Sequence, residues 1–130
     1  MSAKSDIVLV VDDDPMILRL ITIALASAGL ITIVAENGAA GFDSFVALEE
    51  RISLIITDVM MPGMGGVEMV TAILARNPHV KVLLISGYSD AAIHLPSAAR
   101  DFPFLRKPFR VEDLVQKVTE ICGPAPAISS

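Results

Sequence analysis

Three runs of this chain, 7–11 (IVLVV), 54–57 (LIIT) and 80–85 (VKVLLI), are apolar almost without alternation. A strand with one wet face alternates polar with apolar residues, whereas a strand covered on both faces does not. Two further β-rich runs lie at 31–35 (ITIVA) and 102–106 (FPFLR). Between them the apolar residues fall three or four apart: Ile17, Leu18, Ile21 and Leu25 form one helical stripe, and Val111, Leu114, Val115, Val118 and Ile121 form the last. Strand–helix repeats around buried central strands imply an α/β fold, a doubly wound parallel sheet of five strands with helices on both faces.

Local punctuation agrees. Asp14 is placed to cap the first helix, with Pro15 at its first position and Gly29 after its end. Gly41 lies inside the second helical segment and is expected to weaken it by about 1 kcal/mol relative to alanine. Pro96 interrupts the fourth, 89–100, and is expected to end or kink it near Leu95. The chain reads as one domain over 6–122, between an N-terminal tail at 1–5 and a flexible tail or linker stub at 123–130, "GPAPAISS".

Composition excludes several classes. With 53% hydrophobic and 19% charged residues, disorder is not the main state. No run reaches the roughly 18 apolar residues of a membrane helix, and "MSAKSD" lacks the apolar segment of a signal peptide. A formal charge of −5 argues against direct nucleic-acid binding. The single cysteine, Cys122, has no intramolecular partner, which fits a reducing cytoplasm.

Two of the buried runs end on carboxylates. The first is followed by Asp12, Asp13 and Asp14, and the third by Asp58 in "LIITDVMMPGMGG". In a parallel sheet, ligands bind beyond the carboxyl ends of the strands. If the first and third strands are neighbours, Asp12, Asp13 and Asp58 share one crevice. Two carboxylates about 4 Å apart repel by roughly 4 kcal/mol at an effective dielectric of about 20. Packing does not explain such crowding; a hard divalent cation with oxygen ligands does, and Mg²⁺ is the natural one. Asp14 reads as a helix cap instead. Two other strand ends add a hydroxyl, Ser86 in "VLLISGY", and an ammonium, Lys107 in "FLRKPF". Asp58 as acceptor, a cation on the acids, and Ser86 and Lys107 on the oxygens of a phosphoryl group form a coherent phosphoryl-transfer site.

The pieces "VLVVDDDP", "DVMMPGMGG", "SGY" and "KPF", in this order and spacing, resemble the receiver domain of two-component response regulators over nearly the whole chain. The resemblance implies a flavodoxin-like sheet of order 2-1-3-4-5. It implies that Asp58 accepts a phosphoryl group from the phosphohistidine of a sensor histidine kinase or a histidine phosphotransfer protein. Mg²⁺ would be held by Asp12, Asp13, Asp58 and the backbone carbonyl of Met60. Ser86 would swing toward the phosphoryl group and Lys107 would pair with it, from a Lys107–Pro108 bond expected to be cis. Phe104 matches the family's aromatic switch, although an aromatic on a half-exposed last strand has the same appearance. Output would pass to a downstream protein through the face made by 89–100, the last strand and the last helix. Apart from its own phosphorylation and dephosphorylation, such a domain catalyses nothing.

Three features depart from the family pattern. Gly65 stands where a polar residue often caps the third helix, "AARDFP" replaces the usual Gly-Ala pair before the last strand, and Pro96 falls in the signalling face. Alternatives are a Mg²⁺-dependent phosphatase or phosphotransferase of the haloacid-dehalogenase type, which typically wants an Asp where this chain has Met60, and a flavin- or nucleotide-binding module, whose phosphate loop would meet Asp12, Asp13 and Asp14. The chain reads as a complete single-domain regulator, as the receiver end of a hybrid sensor kinase, to which "SGYSD" bears an associational likeness, or as the N-terminal part of a longer regulator. His79, His94 and Cys122 form no ligand set, and Met60, Met61 and Met64 read as packing around the site.

Overall fold

The computed structural model describes residues 7–59, 65–87 and 102–122. Within them run β1 (Ile7–Val11), α1 (Pro15–Ser27), β2 (Ile31–Ala35), α2 (Gly38–Ala47), β3 (Ile52–Asp58), α3 (Gly66–Arg76), β4 (Lys81–Ser86), β5 (Phe104–Arg106) and a last helix, α4 (Val111–Cys122). All the strand pairs are parallel, in the order β2-β1-β3-β4-β5. The expected fold class and strand order are therefore those observed. The fourth helical segment with Pro96 and His94, the loop with Met60, Met61, Pro62 and Met64, and both tails lie outside the described residues.

The unbroken apolar runs are explained by two cores. Ile7, Leu9 and Val11 of β1 pack with Ile55 of β3 and with Phe45, Met69 and Ile73 from α2 and α3. Val8 and Val10 pack on the opposite face with Leu18, Ile21 and Leu25 of α1 and Leu114 and Val118 of α4. Successive residues of a strand feed opposite cores, so β1 is buried at all five positions.

The helix ends follow the local chemistry. Asp14 accepts the amide of Met16 at 2.9 Å, Pro15 opens α1, and Gly29 beyond its end has φ +85°. Gly65 offers α3 no side-chain cap, as its residue type dictates, but its own amide donates to Glu68 Oε1 at 2.8 Å. Gly41 has a packing reason that helix propensity does not reveal. A Cβ there would lie 2.6 Å from Met69 Sδ and 2.9 Å from Val11 Cγ2, so its absence lets α2 settle onto the sheet and α3.

Three strand limits differ from expectation. β3 is longer at both ends, β4 is shifted by one residue, and β5 begins at Phe104 rather than at 102. Pro103 has no amide to give a ladder, although its carbonyl accepts from Leu84 N at 3.0 Å.

Candidate functional site

β1 and β3 are neighbours, so the chain delivers Asp12 just past one strand and Asp58 at the end of the next. Asp12 is fixed from both sides. Its amide donates to Ala35 O at 3.1 Å, and its Oδ1 accepts the amide of Asp14 at 2.9 Å. Asp12 is 1% exposed and Asp58 6%, while Asp13 faces solvent. Carboxylate oxygens of the three lie within 4.8 Å of one another.

Lys107 reaches this cluster from beyond the end of β5. Its Nζ donates to Asp58 Oδ2 at 2.9 Å and stands 2.9 Å from Asp12 Oδ2. Asp12 Oδ2 is buried, and the Lys107 ammonium is the charge it faces. The Lys107 amide donates to Ser86 O at 2.7 Å, which ties the ends of β5 and β4 together, and the Lys107–Pro108 bond is cis as expected.

The electrostatics are those of a crowded acidic site. Burial pushes the Asp12 carboxyl above its ordinary value and the charge of Asp58 adds to this; the Asp14 amide and Lys107 oppose the rise without cancelling it. For Lys107, burial works against the charge, yet the bond to Asp58 and the contact with Asp12 hold its pKa above the ordinary lysine value.

Three ionised carboxylates and one ammonium leave two negative charges, the amount one divalent cation neutralises. Carboxylate oxygen donors, partial exposure through Asp13 and a buried Asp12 oxygen turned into the cluster fit Mg²⁺ well. Among the described residues the donor set is made of carboxylates, without the nitrogen or sulfur ligands that softer metals favour.

The hydroxyl of Ser86, buried at the end of β4, donates to Gly87 O at 3.1 Å. Phe104 is half-buried on β5, in register with Leu84. Met60 lies outside the described residues. One buried polar residue was not singled out from the sequence: Thr57, fully buried, donates its hydroxyl to Asp58 O at 3.0 Å. A hydroxyl at the end of an apolar run, directly before the acidic residue, was the available signal.

Residues 8–119 match the family model of the response regulator receiver domain. The chain belongs to that family. This receiver domain is 33% identical over 115 residues to the response regulator receiver protein CpdR of Brucella abortus, covering 88% of this chain and 94% of that protein. It is 33% identical over 113 residues to the DNA-binding transcriptional regulator NtrC of Escherichia coli K12, covering 86% of this chain but 24% of that protein. Several curated relatives are thus much longer than the segment they share with it. Among solved structures, the response regulator protein TrrA of Thermotoga maritima, in complex with Mg²⁺-BeF, has a TM-score of 0.77 and 32% identity, covering 88% of this chain and 97% of that one.

The receiver domain is a phosphorylation-activated switch of two-component signalling, and the haloacid-dehalogenase alternative finds no support. No helix among the described residues is long and apolar enough to cross a membrane.

Proposed function

We propose that Asp58 is the phosphoacceptor of this switch. A phosphoryl group would leave the imidazole nitrogen of a phosphohistidine, on a sensor histidine kinase or a histidine phosphotransfer protein, and form a P–O bond to a carboxylate oxygen of Asp58. The observation that carries this reading is the meeting of Asp12, Asp13, Asp58 and Lys107, drawn from three strand ends onto one edge of the sheet. Asp12, Asp13 and Asp58, with the Met60 carbonyl, would hold Mg²⁺. Bound there, the cation supplies neutralisation of charge on the phosphoryl oxygens.

The protein's own residues do the rest. Lys107 already lies against Asp58 Oδ2 and is placed to exchange that partner for a phosphoryl oxygen. Ser86 would turn its hydroxyl from Gly87 O to the phosphoryl group. Because the Lys107 amide is bonded to Ser86 O, movement at one strand end is transmitted to the other. β5 carries Phe104 and leads directly into Lys107, so the surface of β5 and α4 would change and present Phe104 differently to a downstream protein. A tenfold change in population needs about 1.4 kcal/mol of differential interaction, within the range of one charge-assisted hydrogen bond. The domain acts in the cytoplasm on this reading, and its only chemistry is its own phosphorylation and dephosphorylation.

The test is labelling by a small acyl phosphate. With Mg²⁺ present the protein should gain one phosphoryl group, and Asp58→Asn or removal of Mg²⁺ should abolish the gain. Undiminished labelling of Asp58→Asn would refute the assignment.

A further inference from the structure

The backbone carbonyl of Asp58 is approached from two sides. From within β3, the fully buried Thr57 donates its hydroxyl to that oxygen at 3.0 Å. From α3, Gly66 packs its bare Cα against the same carbonyl. A Cβ on Gly66 would collide with Asp58 O and lie 2.9 Å from Asp58 C and 3.0 Å from Thr57 Oγ1. Gly66 N also donates to Val59 O at 3.1 Å, and Val59 N donates to Ile85 O at 2.9 Å. Gly66, the first residue of α3, is therefore bonded to Val59 and packed against the carbonyl of Asp58, the residue that bears the acceptor carboxylate.

Threonine is not what packing alone would select here. Valine has nearly the same shape and would fill the site without burying a hydroxyl. The hydroxyl serves a local purpose, since the direction of the Asp58 carbonyl fixes the backbone angle at which the chain leaves Asp58 for the loop. That angle sets the carboxylate relative to everything that follows it.

We propose that Thr57 and Gly66 are positioning residues for the phosphoacceptor. The hydroxyl of one and the missing Cβ of the other hold the Asp58 carbonyl, and through it the geometry that determines cation affinity and the rate of phosphoryl acceptance. The inference rests on the reading of Asp58 as the acceptor. Neither residue touches the phosphoryl group; both act through the backbone of Asp58.

Three quantities measured on the full chain test it: the Mg²⁺ dissociation constant by calorimetric titration, the rate of labelling by acetyl phosphate, and the melting temperature without Mg²⁺. Thr57→Ser, which keeps the hydroxyl, should match the parent in affinity and rate. Thr57→Val should lose about tenfold or more in both, the scale on which residues supporting a metal site act, while its melting temperature hardly moves. Gly66→Ala should lose at least as much. Parental affinity and rate in Thr57→Val, or an equal loss in Thr57→Ser, would overturn the proposal. Should Thr57→Val not fold, Thr57→Ser decides: a parental result supports the hydroxyl, and a loss assigns the effect to shape. If the parent itself is never labelled, the acceptor reading fails, and the Mg²⁺ affinities still separate the variants.

Discussion

Asp12 carries a conflict between stability and use. Its carboxyl is buried, near Asp58, and its folded pKa is raised. At a pH above that folded value, the ionised carboxyl is less favourable in the folded protein than in the unfolded chain. The penalty shrinks as pH falls from the folded value toward the ordinary one, because the folded protein takes up the proton first. Asp12→Asn keeps an oxygen for the Asp14 amide and removes the charge. We therefore expect it to raise the melting temperature at neutral pH without Mg²⁺, with an advantage that fades on acidification through the folded pKa. Thermal melts at several pH values check this. Retaining a destabilising charge at a working site is a common exchange of stability for function.

The residues of the site were largely legible because each sits where an apolar run stops, and a strand end is a place that sequence alone can mark. What the sequence does not carry is the distance Lys107 covers. It follows β5, two strands from Asp58, and its contact with both acids exists only once the sheet order is formed. Nor does the sequence give the partner of the Thr57 hydroxyl, since a threonine in a strand is equally a good β-former.

At the scale of elements, Gly41 shows how tertiary contact overrides propensity. By helix propensity alone, Gly41→Ala would stabilise α2. Here the added methyl would meet Met69 Sδ at 2.6 Å and Val11 Cγ2 at 2.9 Å. Met69 can shift in part, but β1 is the fully buried strand beneath it. We expect Gly41→Ala to lower stability by about 1–3 kcal/mol, as overpacked cores do, in urea unfolding. A gain in stability would show that the contact relaxes at no cost. The start and stop of α1 were readable from Asp14, Pro15 and Gly29 because capping is local chemistry. The start of β5 was not, because Pro103 supplies a carbonyl but no amide, and a hydrophobicity pattern is blind to that difference.

For the whole molecule, fold class and strand order followed from runs that are apolar on both faces and from the family motifs, and both core faces are filled as that pattern requires. The same architecture brings like charges together. Parallel neighbours β1 and β3 both end on acids, so the sheet that stabilises the domain also creates the repulsion at its edge, and Lys107 offsets only part of it. The central claim is that a divalent cation makes this crowding favourable. The most direct measurement is thermal or denaturant unfolding of the parent and of Asp13→Ala across a Mg²⁺ titration. The parent should gain about 1.4 kcal/mol at ten times its dissociation constant, and Asp13→Ala should gain much less at the same concentration. A parent whose unfolding ignores Mg²⁺, or an Asp13→Ala variant that responds equally, would contradict the account.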